Sequence, residues 1–169
     1  MCIRDRYYTF NHSLEGAKMS LEGTDGLKTG SSDTADYNHT ITTQRGKLRI
    51  NQILMGVGDY KKLGGEMQRN MIGNALMNRS FNQYEYKKVL PQGKHKINGK
   101  TYYVRDDLYD IIPQDFTSKD YKFVVKNGKV HLNYNRQFLT DSDGPPTAKV
   151  TRPALHKANT FVQHLWHNY

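Results

Sequence analysis

The pattern of polar and apolar residues predicts three β-strands in the first third of the chain: a short one, one that alternates and is rich in Thr and Ile, and a β-branched one that becomes increasingly apolar. The segments are residues 26–32, Tyr37–Arg45 and Leu48–Gly58, and the letters "RGK" make a tight glycine-containing turn between the second and third. Strands joined by so short a connection pair as an antiparallel hairpin. We therefore predict a short strand followed by a strand–turn–strand unit.

The next segment, "EMQRNMIGNALMNRSF", changes to a helical period. Its apolar side chains recur at i, i+4, i+5, i+8 and i+9, which places them on one face of a helix. These residues are Met67, Met71, Ile72, Ala75 and Leu76. We interpret this face as core that packs against the preceding sheet.

A second module begins near Tyr84, where strand-like runs flank two Asn-Gly pairs, Asn98-Gly99 and Asn127-Gly128. Asn-Gly favours the type I′ turn, whose twist matches that of the flanking strands, so both pairs predict β-hairpins. Residues 85–152 are accordingly predicted to form a small all-β domain, with residues 7–84 as the domain before it. The predicted fold class is α+β.

The two ends of the chain are set apart from these domains. Residues 1–6, "MCIRDR", match the translation of a common sequencing adapter, and we predict that they are a scar with no role in the fold. Without them the chain has no cysteine, which argues against disulfides and thiol chemistry. Residues 153–169 begin at a proline and carry an apolar stripe, which predicts an amphipathic helix at a membrane surface.

Composition narrows the class of partner. The chain has 169 residues, a mean hydropathy of -0.82 and a net charge of +9, with no apolar run near the roughly 18 residues of a membrane span. Its lysines are scattered along the sequence, and nothing matches an RNA- or DNA-binding motif, so we predict no nucleic-acid partner. An anionic phospholipid or wall polymer fits the charge equally well.

One triplet, Lys28-Thr29-Gly30, lies on the first predicted strand and carries specific chemistry. The ammonium of Lys28 places positive charge beside a cleft, and the hydroxyl of Thr29 can donate to a carboxylate. The missing Cβ of Gly30 lets another backbone approach the strand. A substrate peptide could then pair with the strand edge as an added strand.

The stretch from "DGLKTGSSDTADYNHTITTQRGKLRI" through "GDYKKLGGEMQRNMIGNALMNRSF" resembles the end of the serine transpeptidase domain of penicillin-binding proteins, a family with a K-T-G signature. The similarity is greatest to low-molecular-mass D-alanyl-D-alanine carboxypeptidases of Gram-positive bacteria, of the penicillin-binding protein 4 kind. It extends from about Tyr8 to the end of the chain. The resemblance implies the last strands of a β-lactamase-like antiparallel sheet, its packing helix and a C-terminal β-domain.

For the parent enzyme, the resemblance implies acyl transfer by a serine, on peptidoglycan stem peptides ending in D-Ala-D-Ala and on β-lactam antibiotics. Lys28 would stabilise charge, Thr29 would bind the substrate carboxylate, Gly30 would allow close approach, and the Ser31 N–H would form part of an oxyanion hole. No metal or organic cofactor is implied. The implied location is the extracellular face of the bacterial cytoplasmic membrane, with signal peptide and anchor outside this fragment.

The chain departs from the family pattern because it contains no S-x-x-K motif, so the nucleophile is expected to lie upstream. Ser80-Phe81-Asn82 matches S-x-N but follows the K-T-G triplet, and we interpret it as a coincidence. We therefore expect a C-terminal fragment that is inactive alone. Two alternatives stay open: a β-lactamase-related enzyme, and a non-catalytic basic module that binds acidic cell-surface polymers.

Overall fold

The structure, a computed structural model, describes residues 10–140 and 143–153. Contacts divide the chain into two compact units, Met1–Tyr84 and Glu85–Tyr169, called unit 1 and unit 2 below. The predicted helix at residues 153–169 lies almost entirely outside the described residues, as do the predicted scar at residues 1–6 and the beginning of the similarity near Tyr8.

Unit 1 contains a three-stranded antiparallel sheet in the order β1-β2-β3. The strands are β1 (Thr24–Ser32), β2 (Asp36–Arg45) and β3 (Leu48–Val57). Gly46 has a φ of 58° in the two-residue connection from β2 to β3, a conformation that glycine adopts without strain. The three predicted strands and the tight turn are thus confirmed, since the alternating pattern and the glycine agree with each other.

One helix, α1 (Gly65–Gln83), packs on this sheet in the part of the chain that the structure describes. The residues that it buries follow a spacing of four and are mostly small or polar. They include Arg69, Gly73, Met77 and Phe81. Met77 and Phe81 join the apolar core of unit 1 with Leu21, Ile41 and Leu48.

The predicted helix exists, but the prediction of its buried face was wrong. All five residues of the predicted apolar stripe are exposed, with Met67 at 48% and Met71 at 58%. The sheet lies against the opposite side of α1, because there Gly73 lets the helix approach the strands closely. Periodicity identified an apolar stripe correctly, but it contained no information on which surface of the molecule covers that stripe.

Unit 2 consists of short strands, and no helix is found in it among the residues that the structure describes. The strands are β4 (Tyr84–Leu90), β5 (Gly93–Ile97), β6 (Lys100–Val104), β7 (Leu108–Pro113), β8 (Lys122–Lys126), β9 (Lys129–Asn133) and β10 (Ala148–Thr151). Five of them form an antiparallel sheet in the order β5-β6-β10-β9-β8, while β4 pairs with β7.

Both predicted hairpins of unit 2 are confirmed. Asn98 and Gly99 connect β5 to β6 with φ values of 49° and 78°, and Asn127 and Gly128 connect β8 to β9 with values of 51° and 70°. Positive φ at both central positions is the requirement of the type I′ turn. An apolar cluster lies beneath these hairpins, formed by Leu90, Ile97, Val104, Leu108, Val130, Ala148 and Val150.

Candidate functional site

The K-T-G triplet lies in the middle of β1, at an edge of the sheet of unit 1. Among the described residues β1 pairs only with β2, so its other edge presents backbone N–H and C=O groups that no strand covers. An edge of this kind is a template on which an extended peptide can add as a further strand.

The side chain of Lys28 lies on the face of the sheet opposite the helix. In the register of the strands Lys28 is directly opposite Thr40, which is in turn opposite Ile53. Lys28 is exposed, donates to the carbonyl of Thr29, and forms no ion pair among the described residues. Its charge is therefore available to a ligand at this edge.

Ile53 shares the face of Lys28 and is 70% exposed. Ile53 lies midway along β3, and a large β-branched side chain on the face of a sheet is ordinarily covered by another layer of the fold. The face that carries Lys28 therefore combines a free cation with uncovered apolar surface.

Thr29 lies on the other face of β1, opposite His39, and is buried with 8% exposed. Lys28 and Thr29 therefore point to opposite sides of the strand, as successive strand residues do. The residues of the triplet therefore share the strand edge, but their side chains do not share one face of the sheet.

Gly30 and Ser31 complete the predicted site, and both are exposed. A Cβ placed on Gly30 would meet no atom within 4 Å. Nothing among the described residues therefore requires glycine at this position, and the open space is available to an approaching backbone. Ser31 lies opposite Tyr37 in the register with β2.

His39, which the sequence did not single out, lies behind Thr29 in the contact between sheet and helix. Its Nε2 lies 3.0 Å from Oε1 of Gln52, whose Nε2 donates to the carbonyl of Gly73. A Cβ on Gly73 would lie 2.2 Å from Cε1 of His39, so glycine is needed there. Burial lowers the pKa of His39, and the nearby charge of Arg69 acts in the same direction.

The N-terminal end of β1 is held by a polar network that the sequence analysis also missed. Both terminal nitrogens of Arg49 donate to the carboxylate of Asp25 at 2.8 Å, and one of them also donates to Oγ1 of Thr42. The hydrogen bond from Arg49 holds the pKa of Asp25 below its usual value. This network fixes β1 to β2 and β3 just ahead of the triplet.

Ser80 lies near the C-terminal end of α1, and its hydroxyl donates to the carbonyl of Leu76 at 3.0 Å. The following residue, Phe81, is part of the core. Within the described residues, no three His, Cys, Asp or Glu side chains are close enough to hold a metal ion. No described helix has the length and apolar character needed to cross a membrane.

Comparison with known proteins matches residues 86–151 to a family described as a domain of unknown function, DUF1958. No curated protein matches the chain. Among solved structures, the chain is similar to a peptidoglycan synthesis regulatory factor, PBP3, from Streptococcus pneumoniae. That similarity has a TM-score of 0.57 at 20% identity, over 83% of this chain and 44% of the pneumococcal chain.

Two further structures are similar at lower scores. The D-alanyl-D-alanine carboxypeptidase DacD from Francisella tularensis gives a TM-score of 0.46 at 15% identity, covering 80% of this chain and 39% of its own. Penicillin binding protein 6B from Escherichia coli gives 0.48 at 19% identity, covering 84% and 38%. The chain thus spans less than half the length of each of these proteins, and in fold it matches the C-terminal portion of the pneumococcal protein.

Proposed function

We propose that this chain is the C-terminal part of a serine-type D-Ala-D-Ala carboxypeptidase or transpeptidase that acts on peptidoglycan stem peptides and is acylated by β-lactams. In the parent enzyme a serine oxygen attacks the carbonyl before the terminal D-Ala. The C–N bond breaks, the D-Ala amine leaves with a proton, and water or an amine then takes the acyl group from the serine.

The observation that carries this proposal is the position of the triplet on the uncovered edge of β1. A stem peptide that adds to this edge as a strand would have its reacting carbonyl fixed by backbone hydrogen bonds. Open space at Gly30 lets that backbone come close. Strand addition therefore supplies the orientation that acyl transfer needs.

Each residue of the site has a proposed role. Lys28 supplies positive potential where negative charge develops during acylation, and Thr29 donates its hydroxyl to the terminal carboxylate of the substrate. Ser31 contributes its backbone N–H to the oxyanion hole. The lack of an ion-pair partner for Lys28 among the described residues supports its role, since a paired lysine would offer less charge to the substrate.

Two uncovered apolar surfaces of unit 1 support the further proposal that a catalytic portion packs on this chain. One surrounds Ile53 on the Lys28 face, and the other is the exposed stripe of α1. Soluble proteins rarely leave several large apolar side chains together in water without a partner. We propose that the covering portion carries the S-x-x-K serine and the S-x-N motif, on the outer face of the cytoplasmic membrane.

The test is covalent labelling by a fluorescent penicillin, followed by mass spectrometry of the intact protein. The parent enzyme, with its upstream portion restored, is expected to gain one penicilloyl group and to release D-Ala from a stem peptide. The 169-residue chain alone is expected to gain none, because it lacks the S-x-x-K serine. Labelling of the chain alone, or no labelling of the parent, contradicts the proposal.

A second experiment addresses Thr29 in the parent enzyme. Thr29→Val keeps the shape of this buried side chain and removes only the hydroxyl. We expect kcat/KM to fall by about tenfold or more for a substrate with a free terminal carboxylate, the cost of one charge-assisted hydrogen bond. For a substrate amidated at that carboxylate, kcat/KM should fall far less. Equal losses for the two substrates would remove Thr29 from carboxylate recognition.

A further inference from the structure

Four cationic side chains form a continuous row across the sheet of unit 2. Lys149 on β10 lies directly opposite Lys129 on β9, and Lys129 lies directly opposite Lys126 on β8. On the other side of β10, the N–H of Arg105 donates to the carbonyl of Lys149 at 2.9 Å, one step beyond the Val104–Val150 pair. The row Arg105–Lys149–Lys129–Lys126 is called the cationic row below.

The cationic row faces solvent. All four of its residues are exposed, whereas their strand neighbours Val104, Val130 and Val150 lie in the core. In a strand, alternate residues point to opposite sides, so the row lies on the outside of the sheet. These lysines are scattered along the sequence, and the pairing of the strands brings them together.

The charge of the cationic row is not balanced by any carboxylate on the strands of its own sheet. The strands β5, β6, β8, β9 and β10 contain no Asp or Glu at all. Among the described residues, none of the four cations forms an ion pair, and the nearby Asp107 is paired with Lys88 at 2.5 Å. Like charges directly opposite each other on a sheet are destabilising. The row is therefore a local cost to the fold that an anionic partner would relieve.

The spacing of the row defines the chemistry of that partner. Adjacent strands lie about 4.8 Å apart, so four cations extend over about 14 Å. The row consists of three lysines and one arginine, so it has no large apolar side chain that could insert into an apolar partner. A partner with several closely spaced phosphate groups matches this arrangement by charge alone.

The position of the row along the chain indicates where those phosphates lie. Lys149 precedes Pro153 by four residues (153 − 149), a distance of at most about 14 Å even in extended chain. Residues 153–169 carry the sequence pattern of an amphipathic helix that lies on a membrane. A cationic cluster directly beside such a segment is the arrangement that anionic lipid headgroups attract.

We propose that the cationic row is a docking surface for the phosphate headgroups of an anionic phospholipid bilayer. Unit 2 would then hold the protein on the membrane by electrostatic contact, next to the segment that follows β10. This inference depends on unit 2 alone, so it stands or falls independently of the acyl-transfer proposal for unit 1.

The test is co-sedimentation of the full 169-residue chain with lipid vesicles at low and at physiological salt. One set of vesicles contains phosphatidylcholine only, and the other also contains phosphatidylglycerol. The triple variant Lys126→Gln/Lys129→Gln/Lys149→Gln is expected to bind the anionic vesicles about a hundredfold more weakly, since each lysine near such a surface contributes about fivefold. The wild type and the triple variant should bind the neutral vesicles equally. Physiological salt should weaken binding to the anionic vesicles more for the wild type than for the triple variant.

A matched variant, Lys18→Gln/Lys61→Gln/Lys119→Gln, removes the same charge from exposed lysines outside the row. It is expected to bind within about threefold of the wild type, because it leaves the cationic row intact. The row variant should unfold at the wild-type temperature or above it, since neutral side chains remove the repulsion. This second measurement separates lost docking from lost folding.

Three results would overturn the proposal. Equal losses in the two triple variants would show that net charge and not the row attracts the lipid. Equal binding of the wild type to neutral and anionic vesicles would assign all binding to apolar contacts. Binding to soluble long-chain polyphosphate without binding to anionic vesicles would assign the row to a soluble polyanion.

Discussion

Units 1 and 2 differ in how they cover their apolar residues. Unit 2 encloses an apolar core in which Val104, Val130 and Leu132 have no exposed surface. Unit 1 buries the polar side chains of Arg69 and Asn70 on its helix, while large apolar residues on both the helix and the sheet are exposed to water. One unit has a closed core, and the other has surfaces that are suited to a covering layer.

The two units therefore depend to different degrees on the rest of a protein. A closed apolar core supplies the main driving force for folding from within the unit itself. Exposed apolar surface is instead typical of a protein interface. We interpret unit 2 as an autonomous domain and unit 1 as one side of a larger domain whose catalytic portion packs on it.

The closed core of unit 2 has one polar element, whose loss is expected to have the largest effect on stability. Arg136 donates to both carboxylate oxygens of Asp110, at 2.8 and 2.9 Å, and only 2% of Asp110 is exposed. Arg136→Leu should lower the free energy of unfolding of unit 2 by about 3–5 kcal/mol, because it leaves a buried charge without a partner.

The measurement is urea denaturation of the full chain, followed by the NMR signals of unit 2. Lys87→Leu is the matched control, since Lys87 pairs with Glu85 at the surface, and it should cost far less stability than Arg136→Leu. Equal effects of the two substitutions would show that the Arg136 pair is not an element of a closed core.

In unit 1, the contact between helix and sheet depends on Gly73. Gly73→Ala should destabilise unit 1 by about 1–2 kcal/mol, because the clash with His39 outweighs the higher helix propensity of alanine. Adding His39→Ala should recover part of that loss by making room. Asn82→Ala, on the exposed end of α1, should be neutral or stabilising in the same denaturation experiment. A neutral Gly73→Ala would disprove the close contact.

These residues also show how much the sequence could predict. Alternation and Asn-Gly pairs predicted the sheet of unit 1 and both hairpins of unit 2, because their signals are local. The triplet at Lys28 was found for the same reason. The sequence could not predict that β10 lies between β6 and β9, or that Gly73 and not Met71 faces the sheet, since both depend on contacts between distant segments. The cationic row was missed because its residues come from separate segments.

The exposed stripe of α1 gives a direct comparison of unit 1 with and without a covering portion. Met71→Gln should change the unfolding free energy of the 169-residue chain by less than about 0.5 kcal/mol, as exposed substitutions do. In the restored parent enzyme it should cost about 2 kcal/mol, because the polar side chain would be buried. Asn82→Gln should be neutral in both proteins. Equal effects of Met71→Gln in both would show that the stripe stays uncovered.

The smallest effect is a pH dependence that arises from His39. Because burial lowers the pKa of His39 in the folded chain, the unfolded chain binds more protons as the pH falls through the unfolded-state pKa near 6.5. Unit 1 should therefore lose stability below that pH. Between pH 8 and pH 5.5, the urea midpoint of the His39→Gln variant should fall by less than that of the wild type. The carboxylates of unit 1 contribute to the pH dependence of both proteins. Parallel changes of the urea midpoint with pH in the two proteins would show that His39 is not the source of this pH dependence.

The most direct test of the central claim, that unit 1 carries the substrate edge of a serine acyltransferase, is the acylation rate of the restored parent enzyme with Lys28→Ala. Stopped-flow acylation by a fluorescent penicillin is expected to slow by about 10²–10³, the usual cost of one lost electrostatic stabiliser. The circular dichroism spectrum should be unchanged, because Lys28 is exposed, and Lys61→Ala should acylate at the wild-type rate. A rate for Lys28→Ala within about threefold of the wild type would contradict the account.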